Sequence, residues 1–199
     1  MAEPLVVHLF AEDRAHEEFL KALLMRLAAQ EGRQMMLHVL AARGGHGRVL
    51  RELEIYQRSI IRAVPWLRLP DLVIVAADAN CQPFAKARQN VRSALDHALR
   101  ERTVVACPDP HIESWYLADP ESFARVVGAR PRLGRKKCER DRYKSILAST
   151  IREAGHPPTL GGIEFAKELV EAMDLFRAGK AETSLKHFLD EVLGHLRQR

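Results

Sequence analysis

"LVIVAADANC", residues 72–81, decides the fold. Its first six residues are branched or small and apolar, with no polar alternation, the pattern of a strand buried on both faces. The run then stops on Asp78, with Asn80 two places on. A strand of that kind belongs to a parallel sheet covered by helices. The flanking stretches fit. "PLVVHLFA" (4–11) and "QMMLHVLA" (34–41) read as strands before it, and "TVVAC" (103–107) as a strand after it. "HEEFLKALLMRLAAQ" (16–30) sets Phe19, Leu20, Leu23, Leu24 and Leu27 at helical spacing, with acids in the first turn where the helix dipole favours them. "RVLRELEIYQRSIIRAV" (48–64) reads as a helix closed by Pro65, and a third helix is expected over 83–101.

Strands alternating with helices predict βαβ units, hence an α/β fold with a Rossmann-like parallel sheet flanked by helices. After residue 112 only helices follow: 112–118, 120–127, 141–154, 163–174 and 181–198. "GHPPTLGG" (155–162) and "RAGKAET" (177–183) read as the breaks between them. The expected organisation is an α/β core over 1–119 and a helical C-terminal region over 120–199 packed on it.

The 199 residues suit one such domain with a helical appendage. No apolar run approaches the roughly 20 residues that span a bilayer, and no basic stretch precedes the first apolar one as in a secretory signal. Cys81, Cys107 and Cys138 are odd in number and lack a CxxC pair. That usage fits a reducing cytoplasm and supports neither a zinc site nor a disulfide framework. The net charge of +5 is unevenly placed. Residues 1–120 balance 15 Lys/Arg against 15 Asp/Glu, so the excess lies beyond them. "RPRLGRKKCERDRYK" (130–144) holds eight basic and two acidic residues, including Arg135, Lys136 and Lys137. Such a segment is either a track for a phosphate-rich partner or a solvated connection.

In an open parallel sheet, ligands bind beyond the carboxyl ends of the strands. Strand one ends in Glu12-Asp13, strand three in Asp78-x-Asn80, and strand four in Pro108-Asp109-Pro110-x-x-Glu113. Carboxylates crowded at one edge repel unless they share a cation, and oxygen ligands suit Mg²⁺ first and Mn²⁺ next. Glu12, Asp78 and Glu113 form the expected set, with Asn80 as a neutral oxygen donor. Asp13, Glu17 and Asp109 are equally explained as helix-capping, first-turn and turn-forming residues. Strand two ends in Gly44-Gly45-His46-Gly47. The N–H groups of Gly45 and Gly47 could hold a phosphate, or the glycines could serve the turn alone. His46 and His111 could contact a phosphate or be merely solvated. Trp115-Tyr116 reads as packing onto the sheet or as a stacking platform.

These pieces in this order resemble the Toprim domain, the metal-dependent phosphoryl-transfer module of topoisomerases, primases and OLD-type nucleases. The closer likeness is to small Toprim-like proteins of bacterial defence loci, the RloB and DUF4276 type. "FAEDRAHEEFLKALL" resembles their opening strand, glutamate and helix; "ARGGHGRVLREL" their second strand-to-helix turn. "VVACPDPHIESWYLADPESF" is similar to their P-x-x-E-x-W-L segment. The resemblance implies Glu12 as general acid/base and metal ligand, and Asp78 as a direct Mg²⁺ ligand. Asn80 stands at the second acid of D-x-D, and Glu113 joins the same site. The chain departs from the pattern at Asn80, which offers no charge.

The resemblance implies a Mg²⁺- or Mn²⁺-dependent nuclease acting on DNA or RNA in anti-phage or plasmid defence. Gly45, His46, Gly47, Arg135, Lys136 and Lys137 would face the nucleic acid. The alternative is a catalytically weak Toprim-derived binding or regulatory protein that partners an ATPase. A phosphotransferase or phosphatase acting on a small molecule would share the acids without needing the basic segment.

Overall fold

The computed structural model describes residues 3–41, 46–62, 69–134, 137–139 and 141–198. Four strands form one all-parallel sheet: β1 (Leu5–Ala11), β2 (Met35–Ala41), β3 (Leu72–Ala76) and β4 (Thr103–Ala106), in the order β2-β1-β3-β4. Helices α1 (Arg14–Gln30), α2 (His46–Arg62), α3 (Phe84–Ser93) and α4 (His97–Arg100) complete the alternating part. Then come α5 (Glu113–Tyr116), α6 (Pro120–Val127), α7 (Arg142–Glu153), a 3₁₀ turn at Ile163–Phe165, α8 (Ala166–Ala172), α9 (Leu175–Ala181) and α10 (Thr183–Arg197). The fold is the expected α/β architecture, a parallel sheet between helices.

The period of two along each strand sorts side chains into two cores. Leu9, Ile74 and Val104 face one apolar cluster with Leu20 and Leu24 of α1, Phe123 of α6 and Phe188 of α10. Phe10, Val73, Val75 and Val105 face the other, with Val49 and Leu53 of α2 and Val91 of α3. Every residue of β3 is buried, because both of its faces are covered. The helices after Asp119 share the first cluster with α1 and the sheet, so they bury apolar surface against the same face.

The register ends in a row of alanines: Ala41 pairs with Ala11, Ala11 with Ala76, and Ala76 with Ala106. Pairing continues past the strands, with Ala77 N donating to Ala106 O at 3.0 Å and Ala79 N to Pro108 O at 2.8 Å. The first polar side chains beyond that row are therefore held by a continuous ladder of backbone bonds.

Several expectations are corrected. The helix expected over 83–101 is two helices, because the side chain of Gln57 donates to Ala94 O and accepts from Asp96 N. Asp96 then caps α4, accepting from Ala98 N at 2.9 Å. Much of the stretch "RAGKAET", expected as a break, lies in α9. The helix expected over 163–174 ends at Ala172. Asp174 accepts from Arg177 N, and Asp119 takes Asp174 N and two guanidinium N–H groups of Arg177. A disulfide that the cysteine spacing did not support is present: Cys81 and Cys138 are bonded, their Cα atoms 5.7 Å apart. Only the fold brings these two distant cysteines together. Among the described residues no helix is long and apolar enough to cross a membrane.

Candidate functional site

Glu12 follows the last residue of β1 directly, and Asp78 lies two residues beyond β3. The two are joined: Asp78 N donates to Glu12 Oε2 at 2.9 Å. Beside them stands His16, in the first turn of α1 and wholly buried. Asp13 caps that helix, its Oδ1 accepting from His16 N at 3.0 Å. The same oxygen accepts from His16 Nδ1 at 2.8 Å. The other ring nitrogen, Nε2, lies 3.0 Å from Asp78 Oδ1. This second contact is too poorly aligned for a good hydrogen bond. Glu12, His16 and Asp78 each place one ligand-type atom within 4.8 Å of the others.

The electrostatics follow from the geometry. Burial disfavours the charged form of His16, but its hydrogen bond to Asp13 and its contact with Asp78 push its pKa up to about 10. Burial alone would raise Asp78, but His111 and His16 outweigh it and hold the carboxyl below the usual range. Asp13 is likewise held at about 2, His16 overcoming the burial cost. His111 Nδ1 donates to Asp78 Oδ2 at 3.2 Å, and that bond raises its own pKa. Asp78 is thus a carboxylate gripped by one imidazole on each oxygen.

Glu113 opens α5 and is 3 % exposed. Burial pushes its carboxyl up; a backbone hydrogen bond and then Lys144 oppose the rise, and Asp78 and Asp13 add smaller repulsions. The Lys144 ammonium stands 4.0 Å from Glu113 Oε1, while Oε2 is buried with no hydrogen bond. Asp109, at the end of β4, pairs with Lys137 at 2.8 Å. Two cations of the basic segment, Lys137 and Lys144, therefore reach acids beyond the carboxyl edge of the sheet.

Asn80 is exposed, and its amide donates to Asp78 O at 3.3 Å. It sits at φ 49°, in the left-handed region that asparagine tolerates better than most residues. The asparagine is explained by the turn it makes. His46 and Gly47 open the backbone of α2, and Gly45, Arg135 and Lys136 lie outside the described residues. Glu17 stands 3.7 Å from Lys21 on the outside of α1. Trp115 and Tyr116 are fully buried, donating to Ser184 Oγ and Ala15 O at 2.8 Å, so they pack and do not stack on a ligand.

His16 is the residue that sequence reasoning missed. Its signal was present: position 16 continues the apolar stripe of Phe19, Leu20, Leu23 and Leu27, and an ionisable residue on a buried stripe needs partners.

By their spacing, Glu12, His16 and Asp78 could hold a metal ion. Asp78 Oδ1 and Glu113 Oε2 are buried carboxylate oxygens without hydrogen bonds, and at Glu113 a cation would also offset the repulsion from Asp78 and Asp13. No curated protein and no solved structure matches the chain. One family does, that described as Domain of unknown function (DUF4276), over residues 11–193. The match runs from the end of β1 into α10 and takes in every residue of this site, so the chain belongs to the DUF4276 family.

Proposed function

We propose that this protein is a Toprim-type, Mg²⁺- or Mn²⁺-dependent nuclease that hydrolyses phosphodiester bonds of DNA or RNA. The carrying observation is the convergence of Glu12, His16 and Asp78 within 4.8 Å beyond the carboxyl edge of a parallel sheet. Glu12, Asp78 and Glu113 would hold the cation, which supplies charge to polarise a phosphate and to acidify a bound water. The other groups hold these acids in place. His16 is fully buried with both ring nitrogens turned to aspartates, so it positions Asp78 and balances its charge. His111 fixes the second oxygen of Asp78 and, half-buried at the rim, can move a proton to or from a ligand. Lys137 and Lys144 place positive charge at the mouth, where a phosphate backbone would run along the segment 130–144.

The setting we propose is anti-phage or plasmid defence in a bacterial cytoplasm. It is supported by the order of motifs shared with defence-associated Toprim-like proteins, among which an ATPase partner is common.

A second reading is favoured by Asn80 and His16. β3 delivers one carboxylate, and the imidazolium of His16 already supplies a cation between two aspartates. That arrangement suits a catalytically weak binding or regulatory protein. Labelled DNA and RNA incubated with the protein and Mg²⁺ or Mn²⁺ separate the two. Cleavage by the wild type that is lost in Glu12→Ala and Asp78→Ala supports the nuclease. No cleavage, or equal cleavage by both variants, rejects it in favour of the binding protein.

A further inference from the structure

The chain turns sharply after Asp78. Gln82 N donates to Ala79 O at 2.9 Å, and the two residues between, Asn80 and Cys81, have φ of 49° and 61°. Positive φ at both central positions is the signature of a type I′ turn, whose second position usually holds glycine. Cys81 therefore occupies a place where a β-carbon is disfavoured. What the side chain does there is form a bond to Cys138, 57 residues away in the basic segment.

Both cysteines are in exposed positions. Cys138 belongs to the stretch between Gly128, which ends α6, and Asp141, which precedes α7. Among the described residues, the Cys81–Cys138 bond and the pair between Lys137 and Asp109 join this stretch to the carboxyl edge of the sheet. The Lys137 side chain is half exposed, and ion pairs of that kind hold weakly. The covalent bond is thus the main fastening. The third cysteine cannot compete for it: Cys107 is 2 % exposed, and burial first, then nearby acids, push its thiol up to about 12.

We propose that Cys81 and Cys138 form a reversible redox modification site, whose closing docks residues 137–139 of the basic segment against the turn that carries Asp78. The partner reagent is a low-molecular-weight disulfide, RSSR. One cysteine thiolate attacks it, forming a mixed disulfide and releasing RS⁻. The second thiolate attacks the protein sulfur of that mixed disulfide and releases the second RS⁻. Two electrons pass from the cysteine pair to RSSR, and the two thiol protons leave with the RS⁻ groups as two RSH. Excess thiol runs the same steps backwards. Exposure of both cysteines allows the exchange. The consequence for substrate rests on the nuclease reading above, because the docked segment is the proposed nucleic-acid track.

The test uses the full chain, divided between dithiothreitol and excess oxidised glutathione and then alkylated while native. The reduced protein should take two labels, on Cys81 and Cys138, and the oxidised protein none. A non-reducing digest of the oxidised form should contain the 81–138 linked peptide. Limited trypsin should cut after Lys137 about tenfold faster in the reduced form, since cleavage follows the freed population. Cys138→Ser, and Cys81→Gly (which also relaxes the turn), should cleave at the faster rate under both treatments. Absence of the linked peptide in excess oxidant overturns the proposal. So does a bond that dithiothreitol cannot open in the native protein, or equal trypsin rates in the two forms. None of these readouts uses a metal or a nucleic acid, so failure here is distinguishable from failure of the nuclease reading.

Discussion

Glu12 accepts, through Oε2, the backbone N–H of Asp78 at 2.9 Å, so the acid that ends β1 fixes the position of the acid that follows β3. A carboxylate in this place has two separable uses, as an acceptor and as a charge. Glu12→Gln keeps an acceptor and loses the charge; Glu12→Ala loses both. The alanine variant should cost about 1–3 kcal/mol in denaturant melts, because an N–H loses a charged acceptor, and the glutamine variant clearly less. Both should lower metal-dependent cleavage by on the order of 100-fold or more if the charge holds the cation. Cleavage retained by Glu12→Gln would reduce Glu12 to a backbone tether.

Divalent-ion binding can be tested without any substrate. A ligand that binds only the folded state stabilises it by about 2.7 kcal/mol at one hundred times its Kd. Mg²⁺ or Mn²⁺ should therefore raise the melting temperature of the wild type by several degrees, and chelation should reverse the shift. Asp78→Asn should abolish it, because Asp78 lies within ligand distance of the whole group. A shift that survives in Asp78→Asn would place the ion elsewhere.

The basic segment makes a prediction in salt. Lys137 is paired with Asp109 and half exposed, so a phosphate can take its place at small cost. Binding of a labelled DNA or RNA oligomer should weaken steeply with salt, and Lys137→Ala should reduce the slope of log K against log salt by about 1. An unchanged slope would show that this cation does not meet the backbone.

The parts that were legible in the sequence are those governed by local pattern. β3 could be read because an unbroken apolar run has one economical burial, between two helical layers. Glu12 and Asp78 could be paired because parallel strands all end at one edge. The features that escaped depend on contacts distant in sequence. Gln57 splits the 83–101 helix from a neighbouring element, and Cys138 reaches Cys81 only once α6 and α7 are packed. Asn80 looked like a weakened ligand in a D-x-D frame. Its positive φ explains it by turn geometry, which no spacing rule reads. His16 was hidden by its surroundings, an ionisable residue on a stripe whose other members are apolar.

The last prediction concerns pH and lies at the other side of Asp109. Glu182 precedes α10, where burial first, and Asp109 next among the groups that raise it, lift its carboxyl to about 7 against the pull of Lys137 and Ser184. A raised carboxyl is protonated in the folded state while its unfolded counterpart, with a pKa of 4.5, is already ionised. Stability must therefore fall as pH rises from about 4.5 to about 7, and the full penalty stands above that window. The penalty is about 3 kcal/mol. Glu182→Gln removes the ionisation, so urea midpoints should match the wild type near pH 5 and exceed it near pH 8. Lys137→Ala should widen the difference, because it removes the cation that opposes the shift. Parallel stability curves for wild type and Glu182→Gln across this range would show that Glu182 ionises freely in the folded protein.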